Sequence, residues 1–207
     1  MMTSRPSLSS WQIGCFTAVA IASSLCLSSA NALAQSITLD GTLGTAGVLN
    51  GPIYNIPQGV GRTVGNNLFH SFGQFNLNTG EVANFQSAAT IRNILSRVTG
   101  GSPSSIDGLI RVQGSNANLF LLNPQGIIFG ANARLDVPGS FVATTATSFK
   151  LPDGSEFSAV NPQPPSLLAI NITPGLQYGT RQGNISNAGQ LSVRTGQNLT
   201  LLGQSVT

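Results

Sequence analysis

Asn118-Leu119-Phe120-Leu121-Leu122-Asn123-Pro124-Gln125-Gly126-Ile127-Ile128-Phe129-Gly130 is the stretch whose reading decides the fold. A short apolar run, a turn built on Asn-Pro-x-Gly and a second short apolar run follow one another without room for a helix. Pro124 restricts Asn123 to extended geometry, and Asn and Gly tolerate the positive φ of a sharp corner. The same grammar extends outward on both sides. Leu109-Ile110-Arg111-Val112 precedes the stretch, and Leu135-Asp136-Val137 and Phe141-Val142-Ala143 follow it. Toward the N-terminus, alternation recurs in Ser36-Ile37-Thr38-Leu39, Ile53-Tyr54-Asn55-Ile56, Leu68-Phe69-His70-Ser71-Phe72 and Phe75-Asn76-Leu77. Asn78-Thr79-Gly80-Glu81-Val82 and Asn187-Ala188-Gly189-Gln190-Leu191 repeat the corner. The pattern predicts an all-β chain of short strands and tight turns.

Leu191/Val193 and Leu199/Leu201 read as two strands eight residues apart. They fit coils of a parallel β-helix of roughly 20 or more residues each. An ordinary β-sandwich gives similar alternation, and the pattern alone leaves the two open. Ile91, Ile94, Leu95 and Val98 fall at helical spacing, but Gly100-Gly101 closes a run too short to decide between helix and strand. Asn161-Pro162-Gln163-Pro164-Pro165 predicts an excursion between the main block and the C-terminal repeats.

Composition narrows the function classes. Nine Lys or Arg and six Asp or Glu make up 7% of 207 residues, against roughly 25% in an ordinary domain. That excludes a coiled coil and a charge-rich disordered tail. The net charge of +3, with no basic cluster, excludes tracking along nucleic acid. Stacked coils account for the low charge, because like charges about 4.8 Å apart on neighbouring coils repel. Residues 1–34 read as a secretory signal peptide: Arg5, an apolar run from Trp11 to Leu27, and Ala32-Leu33-Ala34 as the cleavage site. Cleavage near Ala34 removes Cys15 and Cys26, so the exported chain is expected to lack cysteine and with it thiol and zinc-finger chemistry.

No catalytic constellation emerges. His70 is the single histidine, too few for an imidazole metal site, and reads as a packing residue. Gly59-Val60-Gly61-Arg62-Thr63-Val64-Gly65 reads as a glycine-rich turn rather than a nucleotide loop. The six carboxylates are scattered, without the facing pair that a glycosidase needs, and Lys150 is the sole lysine. The chain is expected to be no enzyme and to need no cofactor or metal.

The 118–130 stretch resembles the N-terminal two-partner secretion domain of the filamentous haemagglutinin family, whose N-P-N-G-I motif stands here as Asn123-Pro124-Gln125-Gly126-Ile127. A second family feature, N-x-F-x-x-F, looks like Asn67-Leu68-Phe69-His70-Ser71-Phe72, followed by Phe75. Ala131 to Thr145 also resembles the family. The family's N-P-N-L is absent, and the form Ile91–Val98 with Gly100-Gly101 resembles the cyanobacterial branch. The resemblance covers about residues 35–149, with weaker repeats to Thr207. It implies a right-handed parallel β-helix with an N-terminal β cap, in which the Ile91–Val98 segment is strand. The domains are then a signal peptide at 1–34, the secretion domain at 35–150, and a Pro-rich excursion with further repeats at 151–207, the front of a longer or truncated protein.

The resemblance also implies a partner, an outer-membrane pore whose periplasmic POTRA domains recognise the chain. The chain is then threaded to the cell surface, where adhesin-like exoproteins act through downstream repeats on glycans or cells. Asn123, Pro124, Gln125, Gly126, Ile127, Asn67, Phe69, Phe72 and Phe75 are the candidate secretion residues. The competing readings are a β-helix enzyme acting on polysaccharide and a free-standing carbohydrate-binding module.

Overall fold

The computed structural model describes residues 36–167, 175–180 and 182–207. Residues 1–34, expected from the sequence to be a signal peptide cleaved near Ala34, and with them both cysteines, lie outside the described residues. Within them the chain is β-structure apart from one 3-10 turn at Gln58–Val60. The N-terminal part supplies β1 (Ile37–Asp40), β2 (Ala46–Val48), β3 (Ile53–Ile56), β4 (Arg62–Val64) and β5 (Asn67–Phe75). Then come β6 (Val82–Gln86), β7 (Asn93–Val98), β8 (Ser104–Ile106), β9 (Leu109–Gln113), β10 (Asn118–Leu122), β11 (Ile127–Phe129) and β12 (Arg134–Asp136). β13 (Phe141–Thr144) leads into β14 (Ser148–Lys150), β15 (Glu156–Ser158) and β16 (Gly175–Gln177), followed by β17 (Ile185–Asn187) and β18 (Leu199–Leu202).

Three parallel ladders organise the chain. Sheet 1 stacks β5-β7-β10-β13-β18, sheet 2 stacks β3-β6-β9-β12, and sheet 3 stacks β8-β11-β17. Each strand contributes one rung of a coil, which makes a parallel β-solenoid of about four turns. This resolves the choice against a sandwich, whose sheets would be antiparallel. Coil lengths read from sheet 1 are 26, 25 and 22 residues, the separations of Asn67–Asn93, Asn93–Asn118 and Asn118–Ser140.

The N-terminal edge is closed by antiparallel strands. β4 pairs with the first third of β5 and β1 with its end, and β2 lies beyond β1. Two short strands thus cover an edge that would otherwise invite intermolecular pairing.

Inside the coils, apolar residues stack in register. Leu68, Ile94, Leu119, Phe141 and Leu199 form one column of sheet 1. Phe72, Phe75 and Phe85 pack against one another in the first coil, with ring centroids 5.1–6.2 Å apart. The outer face of sheet 1 is also covered. β15-β14-β16 form a separate antiparallel sheet, and Phe149, Leu151 and Phe157 from it join Phe69, Leu95 and Leu122 in a second apolar cluster. The excursion therefore begins before the Pro-rich segment, at the end of β13.

Burial on both faces explains the ambiguous segment. Every residue of Asn93–Val98 is buried; Ile94 and Val98 point inward and Leu95 outward. A strand that is apolar on both sides loses its period-2 signature. The Leu191/Val193 pair forms no ladder of its own. Both side chains pack half-buried on the inner core, and only Leu199–Leu202 pairs, with Phe141–Thr144.

Candidate functional site

The Asn123–Ile127 corner joins sheet 1 to sheet 3, between β10 and β11. Asn123 is fully buried, and its side chain is fully used. Its Nδ2 donates to the Ser102 carbonyl and to Ser104 Oγ, each at 3.0 Å. Its Oδ1 accepts the Gln125 N–H at 3.0 Å, and its carbonyl accepts the Gly126 N–H at 3.1 Å. The side chain therefore both forms the turn and ties it to the coil below. A residue with donor and acceptor in one short planar group is required for that.

The coil above closes over the same corner. The Gly183 N–H donates to the Pro124 carbonyl at 2.8 Å, and the Ile127 N–H to the Asn184 carbonyl at 3.1 Å. A Cβ on Gly183 would lie 2.3 Å from the Gln125 carbonyl carbon, so only glycine lets the chains approach this closely. Gly126 has φ +124°, a conformation that side-chain-bearing residues avoid. Ile127 points into the inner core. Gln125, where the sequence departs from N-P-N-G-I, is the one exposed residue of the five.

The second motif lies on β5, one coil removed from the sheet 1 neighbour of that corner. Phe72 and Phe75 face the inner core, whereas Phe69 faces outward, with its ring 5.0 Å from Phe157 in edge-on contact. Asn67 starts an asparagine ladder: Asn93 Nδ2 donates to Asn67 Oδ1 at 2.8 Å and Asn118 Nδ2 to Asn93 Oδ1 at 3.0 Å. The ladder continues when the Ser140 N–H donates to Asn118 Oδ1 at 2.9 Å. The second motif runs the length of β5, two strands from β10 in sheet 1: Asn67 lies at the far end from the corner, whereas Phe72 falls level with Asn123 two coils away, so the two motifs do not share one site. Asn93, Asn118, Ser102, Ser104 and Gly183 were not singled out from the sequence, although an Asn recurring at the coil period was a readable signal for the first two.

The least foreseen group is Arg97. It is fully buried on the outer face of sheet 1. Its Nε donates to Ser71 Oγ, one terminal nitrogen to Thr42 Oγ1, and the other to the Ser158 and Gln163 carbonyls, all at 2.8–2.9 Å. Its guanidinium carbon sits 4.0 Å from the centre of the Phe157 ring. Asp40 accepts from Ser71, Thr42 and Thr99 beside it, at 2.6–2.8 Å for the hydroxyls. Burial pushes Arg97 down to about 10 while Asp40 pulls it up. Asp40 itself is held below its usual value by these hydrogen bonds, which outweigh its desolvation.

His70 is also fully buried, packed against Phe72 and Phe85, and neither ring nitrogen has a hydrogen-bond partner among the described residues. Burial pushes its pKa down to about 3, so it is a neutral packing group at ordinary pH. A Cβ on Gly61 would lie 2.8 Å from His70 Nδ1, which explains a glycine in the Gly59–Gly65 turn. No group of three or more potential metal ligands occurs among the described residues.

A family model described as the TPS secretion domain matches residues 35–207. The chain belongs to this two-partner secretion family. The TPS domain is the N-terminal, secretion-targeting part of haemagglutinin-like exoproteins, which leave the cell through the outer membrane with a partner transporter. No curated protein matches the chain. The match to the TPS domain spans both the coils and the excursion, in keeping with the way Arg97 fastens Ser158 and Gln163 to sheet 1.

Proposed function

We propose that the POTRA domains of the partner transporter read this TPS domain as an unfolded chain, at the segments Asn67–Phe75 and Asn123–Ile127. The supporting observation is burial: Asn67, Phe69, Phe72, Phe75, Asn123, Pro124 and Ile127 are all closed off in the folded solenoid. Residues hidden in this way present no surface to a partner, so a partner that recognises them meets them before folding. Extended, weakly charged strands can add to an exposed sheet edge. The folded state then withdraws the same residues, so release from the transporter and growth of coils at the cell surface become one event. Residues 1–34 act as the signal peptide that delivers the chain to the periplasm, and the exported protein is adhesin-like, of the cyanobacterial type.

The test is a binding comparison with purified POTRA domains. Chain kept unfolded in mild urea is expected to bind, and folded chain to bind at least tenfold more weakly. Replacing Phe69, Phe72 and Phe75 together with Ser is expected to abolish binding of the unfolded chain. Equal or tighter binding of the folded form would overturn this reading.

A further inference from the structure

Most of the described charges are engaged, and the cations divide into two groups. Among the described residues Arg97 is buried on the Asp40 network, Arg111 pairs with Asp136 at 2.9 Å, Lys150 pairs with Glu156 at 2.8 Å, and Arg134 caps two backbone carbonyls. The guanidiniums of Arg62, Arg92 and Arg194 make no hydrogen bond or ion pair there. Two of these three line the same groove.

The groove follows the corners by which each coil returns to sheet 1. One hollow of about 480 Å³ is bounded by Arg111, Gln113, Asn116, Asp136 and Arg194. A second, of about 500 Å³, holds Arg92 and shares Ala89 and Asn116 with the first. Successive corners are about 4.8 Å apart along the solenoid, so the two hollows form a track rather than a pit. Its floor is close-packed backbone: a Cβ on Gly114 would lie 2.2 Å from the Ser87 carbonyl oxygen. Three guanidiniums face one carboxylate, and that carboxylate is already held by Arg111. Exposed amides of Gln113 and Asn116 lie between the charges.

From this we infer that the groove binds an extended acidic polysaccharide, with ring carboxylates on Arg92 and Arg194 and sugar hydroxyls on the amides. Guanidinium matches carboxylate in a planar, two-bond geometry. The track is polar and open, which does not suit a lipid or an apolar peptide. It also lacks the aromatic side chains on which nucleic-acid bases stack. The inference is independent of how the chain is recognised for export.

The probe is sodium polygalacturonate in affinity electrophoresis of the folded full chain. Migration is expected to be retarded, and less so as salt rises, since the contacts are exposed. Dextran, uncharged, is expected to have no effect. The double variant Arg92→Gln/Arg194→Gln is expected to weaken binding at least tenfold, and Arg62→Gln, which removes the free guanidinium outside the groove, less than twofold. Arg92 and Arg194 are exposed and Arg62 is half-buried, and an unchanged far-UV circular dichroism spectrum checks the fold. Absence of retardation at low salt, an Arg62→Gln effect as large as that of the double variant, or equal retardation by polyglutamate, an acidic polymer without sugar hydroxyls, would each overturn the proposal.

Discussion

Sheet 1 has two buried faces, and they are buried in different ways. The inner face is closed by the coil itself: Leu68, Ile94, Leu119 and Phe141 meet neighbours one turn away, and nearly all of it is apolar. The outer face is closed only by the excursion. Phe69, Leu95 and Leu122 wait there for Phe149 and Phe157, and Arg97 reaches carbonyls 61 and 66 residues further along the chain. The inner face therefore forms as each coil is laid down. The outer face leaves a charge without its partners until Ser158 and Gln163 arrive. Hydrophobic stacking supplies stability to the first, and a hydrogen-bonded cation fixes the position of the second.

The largest break in this comparison is expected from Arg97→Ala. Two backbone carbonyls lose their donor, Asp40 loses its counter-charge, and a cavity opens beside Phe157. Removing one member of such a buried group costs about 3–5 kcal/mol. Arg97→Met combined with Asp40→Asn, which restores volume and removes the orphaned charge, is expected to cost less than half of that in denaturant unfolding. If the single variant lost under 1 kcal/mol, the outer face would be an appendage and not part of the cooperative unit.

The one polar ring of the inner face sharpens the contrast through pH. His70 has a folded pKa of about 3 against the usual 6.5, so below pH 6.5 the unfolded chain binds a proton that the folded chain refuses. Stability is therefore fully present above pH 6.5 and falls as pH drops toward 3, by at most about 1.4 kcal/mol per pH unit for this single group. Asp40, held below 3.8, loses its contribution only below about that pH. Glu81 and Glu156, held below 4.5, add their losses only near and below that value, so between pH 6 and about 5 the decline belongs to His70, and His70→Phe is expected to flatten it. Unfolding midpoints measured at half-unit pH steps check this; an unchanged slope in the variant would refute it.

How much of this was readable follows from the same two faces. The inner ladders were legible at Leu119-Phe120-Leu121-Leu122 in sheet 1 and Ile127-Ile128-Phe129 in sheet 3, because local alternation and an Asn-Pro-x-Gly corner write the turn from one sheet to the next into a dozen residues. The choice between solenoid and sandwich was not, since alternation says which residues are inside and not which strand lies beside which. The outer face blurred the record further: in Asn93–Val98, burial on both sides imitated helical spacing. Arg97 was invisible for another reason. Its partners, the Ser158 and Gln163 carbonyls, are backbone atoms that carry no residue signature. At the candidate motif, the sequence pointed to Asn123 and Gly126 but could not show Gly183, whose importance arises only when its coil closes over the corner and the Gln125 carbonyl carbon lies 2.3 Å from where its Cβ would be.

The corner where sheet 1 turns into sheet 3 offers the smallest effects and the finest discrimination. Asn123→Ala leaves the Ser102 carbonyl, Ser104 Oγ and the Gln125 N–H without the amide that joins them. Buried groups left unsatisfied cost about 1–3 kcal/mol. Gln125 is exposed, and its part in the corner is its backbone N–H, which any residue but proline supplies. Gln125→Ala is therefore expected to stay within about 0.5 kcal/mol of the native chain, and Gln125→Asn likewise. This pair separates two meanings of the motif. If the corner matters for folding alone, export through the partner transporter should follow stability, falling for Asn123→Ala and unchanged for Gln125→Ala. If export drops for Gln125→Ala while the unfolding midpoint does not move, the side chain is read by the partner, and the corner carries an instruction that the folded solenoid does not need.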